Sequence, residues 1–307
     1  MPRINDLLEP KAFSPKLNPD IHNRQKINGA LTQLKAKYPH SADWEIKAIV
    51  ESLTNVSFLD WMAGNTHLSQ SICNELELRI QRRLNDEPLA YILKHEDFMN
   101  LTFEVSPNVL IPRPETSLLV EAVIAYYQQR NDAQPQAAQK YIDLGTGSGA
   151  IAIATMLRCP TLSIDAIDIS SEALVIAKTN AKKLSADSIN FFEADYRDTQ
   201  NTAFETYQAI LANPPYISRD EYETLDLSVK QEPKLALIAE DAGLQMIQYC
   251  LAFASTHLEI GGQLFCEIGY NQSTMVKQLI DSEPNLEWVN IIKDFNNHPR
   301  LVIVKKI

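Results

Sequence analysis

Residues 140–158 read KYIDLGTGSGAIAIATMLR. A short apolar run ends at Asp143 and Leu144, a turn carries Gly145, Gly147 and Gly149, and the apolar residues that follow recur at helical spacing. A strand, a glycine-rich turn and a helix in that order open a ligand-binding α/β unit. Gly145 permits the tight turn, Gly147 lets a ligand approach the backbone, and Gly149 allows close helix packing. The spacing is GxGxG with Asp143 just ahead, not the GxGxxG of dinucleotide sites. It favours S-adenosylmethionine, whose zwitterionic amino-acid end needs hydrogen bonds rather than a pyrophosphate cradle. Asp143, Gly145, Thr146, Gly147, Ser148 and Gly149 are the candidate contacts.

Working outward, AIDIS places Asp168 at the tip of the second strand, about 20 residues past the glycine turn, where a carboxylate can accept both ribose hydroxyls. Its other possible role is as a helix cap, but Ser170 or Ser171 already fills that place. FFEADYRD ends the third strand and brings Asp195 and Tyr196 to the expected adenine position. There a carboxylate can accept the adenine amino group and a ring can cover its face; an Asp at a strand end is also a common turn former. ILANPPYIS, residues 210–218, ends the fourth strand in Asn213, Pro214, Pro215 and Tyr216. The prolines donate no backbone hydrogen bond. The Asn213 side-chain oxygen and the Pro214 carbonyl can therefore accept the two hydrogens of a planar NH2 group, with Tyr216 on its flat face and a methyl donor beside it.

The rest of the C-terminal half alternates helices with continuous apolar runs such as LSIDAIDI and GQLFCEIG. That pattern predicts a parallel sheet covered on both faces. EWVNIIKDF and RLVIVKKI have no helix between them, and antiparallel pairing across NNHP is expected. Before this region, residues 87–112 read as a β-hairpin connector, with Phe98, Phe103 and Val105 on a buried face. Residues 21–86 carry apolar residues at three- and four-residue steps, including the segment SFLDWMAGN, and read as a helical bundle. Residues 1–20 contain four prolines and read as an irregular arm.

Composition narrows the function classes. The chain has 307 residues, a formal net charge of −11, and no basic run longer than RIQRR. Such acidity weighs against a nucleic-acid substrate. No apolar run is long enough for a transmembrane helix, and the first residues lack the apolar core of a signal peptide, so a cytoplasmic protein with no membrane association is expected. The four cysteines lie far apart and read as buried free thiols; no metal site is expected from them or from the six dispersed histidines.

DLGTGSG, NPPY and LIPRPET together, after a helical N-terminal region, resemble the HemK/PrmC family of protein-(glutamine-N5) methyltransferases, which modify class I peptide chain release factors. VSPNVLIPRPET (105–116) and EPKLALIAEDAGL (232–244) are the narrower marks of that resemblance. It implies a Rossmann-like class I methyltransferase fold over residues 113–307, with a seven-stranded, mostly parallel sheet. Residues 21–86 would recognise the substrate. S-adenosyl-L-methionine would be the cofactor, S-adenosyl-L-homocysteine the product, and a monomer the working form. Gly145 to Gly149, Asp168 and Tyr196 would hold the cofactor, and Asn213 to Tyr216 the glutamine of the release factor's GGQ loop. The chain departs from the family pattern at Lys94, where glycine is usual, at Ser117, where Glu is common, and at NNHPR, which replaces a glycine-bearing turn. The competing readings are a ribosomal-protein glutamine methyltransferase, an N6-adenine or N4-cytosine DNA methyltransferase, and a binding protein without catalysis.

Overall fold

The computed structural model describes residues 19–54, 57, 59, 60, 63, 68–133, 139–201 and 203–307. The chain divides into two compact units, residues 1–92 and 93–307. The first holds helices α1 (Pro19–Lys37), α2 (Ala42–Leu53) and α3 (Gln70–Leu84). Their three- and four-residue apolar steps become its core, with Ile27, Leu31, Leu34, Ile46, Ile49, Leu76 and Ile80 all buried. Also buried is an ion pair, Arg83 Nε to Glu45 Oε2 at 2.7 Å, whose guanidinium lies 3.8 Å from the Tyr38 ring centroid. Removing either partner would leave an uncompensated buried charge, a loss of about 3–5 kcal/mol. Helix α1 begins at Pro19, whose fixed φ suits a first turn. The expected irregular arm is therefore already helical at its last two positions, while residues 1–18 lie outside the described residues. Of the helix expected over SFLDWMAGN, only Ser57, Leu59, Asp60 and Ala63 are described.

A short helix, α4 (Leu89–Leu93), leads into the hairpin of β1 (His95–Phe98) and β2 (Leu101–Glu104). Its two-residue turn, Met99 and Asn100, is left-handed at both positions, as the twist of a tight hairpin demands. Phe98, Phe103 and Val105 are buried as expected, the two rings edge to face at 6.2 Å. The hairpin falls within the second unit. There Asn180 accepts from the Glu104 amide at 2.7 Å and donates to the carbonyls of Glu104 and Ser148 at 3.0 and 2.9 Å. One side chain thus ties the hairpin to the glycine-rich turn.

The second unit continues through α5 (Ser117–Ala133), β3 (Lys140–Leu144), α6 (Ala150–Arg158), β4 (Ser163–Asp168), α7 (Ser171–Lys183), β5 (Asn190–Glu193), β6 (Tyr207–Ala212), α8 (Arg219–Thr224), α9 (Gln245–His257), β7 (Leu258–Glu267), α10 (Ser273–Asp281), β8 (Leu286–Lys293) and β9 (Pro299–Lys306). The sheet order is β5-β4-β3-β6-β7-β9-β8. Strands β3 to β7 run parallel to one another, and β9 is antiparallel to both β7 and β8. Successive strand residues face opposite layers. Tyr141, Leu211 and Phe265 pack under α5 and α6, whereas Ile142, Ile210 and Leu264 pack under α9 and α10. The chain works outward from β3 to β5, then returns to β3's other side, leaving a crevice where the direction switches. All four cysteines are buried, and none forms a disulfide. Among the described residues no helix is long and apolar enough to cross a membrane.

The departures at Lys94 and NNHPR are accommodated locally. In the β8–β9 turn Asn297 takes φ +64°, and Asp294 Oδ1 accepts the amides of Asn296 and His298 at 2.9 Å each. Lys94 takes φ +66° and closes the hairpin base by accepting from the Val105 amide at 3.2 Å, but its side chain is exposed and gains nothing there. A Cβ in this region costs roughly 1 kcal/mol. Lys94→Gly is accordingly expected to stabilise the second unit by about 0.5–1 kcal/mol, read as a rise in denaturation midpoint; an unchanged or lower midpoint would contradict the strain.

Candidate active site

Register brings the chemistry-bearing residues to one edge. Leu144 lies opposite Ile167 on one side and Ala212 on the other, Ala212 opposite Cys266, and Asp168 opposite Glu193. Gly145, Asp168, Asn213 and Glu267 therefore stand side by side at the C-terminal tips of adjacent strands, the edge where open α/β sheets bind ligands.

The glycine turn is held open from beneath. Gly145, Gly147 and Gly149 take φ of +70°, +55° and +83°. A Cβ on Gly149 would lie 2.9 Å from Ile153 Cδ1 and 3.3 Å from Ala177 Cβ, so only glycine allows α6 and α7 this approach. At Gly147 nothing lies within 4 Å of that position. The Thr146 amide donates to the Ile167 carbonyl at 2.8 Å and its hydroxyl to Asp143 Oδ2 at 2.7 Å. Asp143 is fully buried and its Oδ1 makes no hydrogen bond. Burial pushes this carboxyl up to about 7, against the Thr146 hydrogen bond. Asp168 accepts the Gly147 and Ser170 amides at 2.9 Å each, one per oxygen. Burial raises its pKa as well. The cap of α7 is Ser170, whose hydroxyl accepts from the Ala173 amide at 3.1 Å. Asp168 is thus free of the capping role and keeps a lone pair on each oxygen.

A cavity of about 660 Å³ opens above this turn, lined by Gly145, Gly147, Asp168, Tyr196, Asn213 and Pro214 among others. The two-oxygen acceptor that Asp168 presents to this cavity fits a ligand with a diol. Asp143, Thr146, Ser148 and Gly149 do not line it; they shape the loop. Asp195 does line it, but Arg197 Nε lies 2.8 Å from both its oxygens, and this guanidinium holds the carboxyl below its ordinary value. Tyr196 is buried, and burial raises its pKa far above the ordinary phenol value, with the Cys250 thiol beside it adding to the rise.

Asn213 and Pro214 also line a second cavity of about 220 Å³, together with Arg113 and Tyr216. Leu110 and Ala236 line both spaces as well, and with Asn213 and Pro214 they form the partition between them. Behind the partition runs a buried chain that sequence reasoning missed. Asn213 Nδ2 donates to Thr116 Oγ1 at 3.2 Å, Thr116 Oγ1 donates to Glu267 Oε2 at 2.8 Å, and the Tyr216 hydroxyl donates to Glu267 Oε1 at 3.3 Å. Burial pushes the Glu267 carboxyl up to about 7. The available signal was a charged residue inside the apolar strand LFCEIG, which burial makes costly unless it is hydrogen-bonded.

The two marks of the family resemblance meet at this partition. Glu232 of EPKLALIAEDAGL is buried, accepts from the Ile111 amide at 3.0 Å and pairs with Arg113, both of LIPRPET. Ile217 bonds to either side of Ile238, its amide to the Leu237 carbonyl and its carbonyl from the Ala239 amide. Gln272 donates to the Tyr216 carbonyl at 2.9 Å. Gly243, at φ +84°, lies so close that a Cβ would sit 2.2 Å from that carbonyl oxygen.

Comparisons with known proteins find relatives over most of the chain. A family model described as "PrmC N-terminal domain" matches residues 25–93, and one described as "Methyltransferase small domain" matches residues 123–231. The chain is 36% identical over 232 residues to a release factor glutamine methyltransferase of Enterococcus faecalis, covering 75% of this chain and 80% of that protein. It is 35% identical over 266 residues to one of Lactococcus lactis, covering 85% and 94%. Among solved structures, the hMettl16 catalytic domain in complex with a MAT2A 3′UTR hairpin superposes with a TM-score of 0.51 at 16% identity, over 76% of this chain and 82% of that one; this likeness bears on the fold alone.

Two outcomes are expected. Gly243→Ala should destabilise the second unit by about 2 kcal/mol or more, because it adds both a left-handed Cβ and a clash with backbone; chemical denaturation reads this. The carboxyls of Asp143 and Glu267 titrate near 7 in the fold and near their ordinary values, 3.8 and 4.5, when unfolded. The native state therefore holds extra protons between those values, and this contribution to stability is lost as pH rises through about 7. Asp143→Asn should flatten that decline, gaining about 1–3 kcal/mol at pH 8 relative to pH 5; parallel denaturation curves at the two pH values decide it.

Proposed function

The chain belongs to the release factor glutamine methyltransferase family, and on that footing we propose that it transfers a methyl group from S-adenosyl-L-methionine to the side-chain amide nitrogen of the glutamine in the GGQ motif of class I peptide chain release factors. The observation that carries this reading is the Asn213–Pro214 partition between a cofactor-sized and a side-chain-sized cavity. When bound, S-adenosyl-L-methionine supplies a methyl group on a sulfonium.

The larger cavity is suited to that ligand. Gly145 and Gly147 leave the backbone accessible, and the free lone pairs of Asp168 accept the ribose hydroxyls. Tyr196 covers the adenine, with Asp195 at the rim beside Arg197. Asp168 faces that cavity, and Asp143 acts from beneath it by holding the Thr146 hydroxyl of the loop. In the smaller cavity the glutamine amide lies against Tyr216. Asn213 Oδ1 and the Pro214 carbonyl accept its two hydrogens, because Pro214 and Pro215 have no backbone N–H to compete. Two acceptors on one NH2 group draw the nitrogen toward a pyramidal geometry and aim its lone pair across the partition.

The methyl donor is activated, so no strong base is required, and the proton leaves late. Catalysis then comes from positioning and from exclusion of water, with positioning worth up to about 7–11 kcal/mol in ideal cases. Residues 21–86 serve release-factor recognition, joined through 87–112 to the methyltransferase residues 113–307. The net charge of −11 favours a protein substrate over nucleic acid.

Transfer of labelled methyl groups to a purified release factor tests the reading. Wild type should label the factor, and replacement of the GGQ glutamine should abolish labelling; labelling that persists without that glutamine would refute the substrate assignment. Asn213→Ala should lower kcat/KM by about 100-fold or more, a loss of the size seen for one preorganised polar partner. Calorimetry should show nearly unchanged S-adenosylmethionine affinity in that variant.

A further inference from the structure

We propose that Thr116 and Glu267 are positioning residues that fix which end of the Asn213 side-chain amide faces the reacting nitrogen. The inference rests on the reading of Asn213 given above. A side-chain amide can turn end for end at almost no change in shape, exchanging its oxygen for its NH2 group. Only one of the two orientations suits a substrate that donates. If the NH2 group faced the substrate amide, donor would meet donor and the nitrogen could not be held.

The buried chain behind Asn213 removes that ambiguity. An ionised carboxylate accepts hydrogen bonds and donates none. Glu267 therefore takes the single hydroxyl hydrogen of Thr116 at 2.8 Å, and the hydroxyl hydrogen of Tyr216 on its other oxygen at 3.3 Å. With its hydrogen committed, Thr116 Oγ1 can only accept, and what it accepts is the Asn213 NH2 group at 3.2 Å. The Asn213 oxygen must then face the other way, into the partition between the cavities. Glu267 and Thr116 are 2% and 5% exposed, so water does not offer a substitute partner. The polarity of the chain is thus set by one charge at its far end.

That charge is sensitive to pH. Burial holds the Glu267 carboxyl up at about 7, with Thr116, Tyr216 and Arg300 favouring ionisation and Glu115 opposing it. Protonated Glu267 can donate to Thr116, whose hydrogen is then free to turn toward Asn213 and reverse the chain. Turnover should accordingly fall as pH drops below about 7.

Thr116→Val, close in shape and lacking the hydroxyl, should lower kcat on the release factor about 10–100-fold, with KM for the release factor and affinity for S-adenosylmethionine within about threefold of wild type. Thr116→Ser should restore most of the loss. Glu267→Gln, which can donate, should lower kcat and abolish the acid limb of the pH profile. Wild-type kcat in Thr116→Val, or an acid limb that survives in Glu267→Gln, would overturn the proposal. So would a wild-type profile flat between pH 6 and 8, a measurement that needs no variant to fold. The orientation can also be read without turnover, from hydrogen exchange of the Asn213 side-chain NH2 at pH 8. Protection in wild type and its loss in Thr116→Val support the positioning even if no release factor is methylated, an outcome that would refute only the functional reading. An unprotected Asn213 NH2 in an active wild type refutes only the positioning.

Discussion

The parallel register of β3 with β4 on one side and β6 on the other is the constraint on which the site depends. With Leu144 opposite both Ile167 and Ala212, Asp168 at the end of β4 stands in a row with Gly145 and Asn213, the first residues beyond β3 and β6. Each strand then ends for its own reason: glycines after β3, a carboxylate and serine cap after β4, two prolines after β6. A slip of one residue in β6 would turn Asn213 to the opposite face and bury Ile210 and Leu211 against the wrong helices. The layers that fix this register, Leu211 under α5 and α6 and Ile210 under α9, therefore also fix where an amide can be held.

The same edge concentrates costs that folding alone would not select. Asp143 and Glu267 are carboxyls with almost no exposure, and Gly243 admits no side chain. Strain and buried charge recur where a structure must present polar atoms in one geometry. Around the partition the backbone is over-determined: Gln272 holds the Tyr216 carbonyl, Ile217 is bonded on both sides, and Glu232 clamps the segment carrying Arg113. A Pro-Pro loop has few internal hydrogen bonds of its own, and these outside contacts supply the rigidity it lacks.

Much of this was legible in the sequence. The strands, helices and hairpin of the second unit follow from apolar runs, helical spacing and turn residues, and the tips of β3, β4 and β6 identified Gly145, Asp168 and Asn213. What local pattern could not show was how distant segments bond. Thr116 looked like one letter of a motif, and Glu267 passed as part of the apolar run GQLFCEIG. Their role follows only when residues 97 and 151 positions apart are brought within hydrogen-bond reach. Likewise Thr146 and Ser148 stand in the glycine-rich motif but do not line the cavity, the Thr146 hydroxyl being committed to Asp143. Asp195 lines the cavity, whereas its pairing with Arg197 depends on side-chain conformations that spacing does not encode.

The position of β9 has a consequence for the order of assembly. Strand β8 precedes β9 in the chain but lies outside it in the sheet, so β8 has no strand to pair with until β9 has inserted. The Ile268 amide, next to Glu267, is likewise bonded to the Arg300 carbonyl, at 2.8 Å. During synthesis the strand bearing Glu267 would thus remain an open edge after every other residue of the partition had been made. The glycine turn can form early, from neighbours close in sequence. The strand bearing the acceptor opposite Thr116 thus gains its second partner only from the last strand of the chain, whereas the glycine turn draws on strands that precede that one.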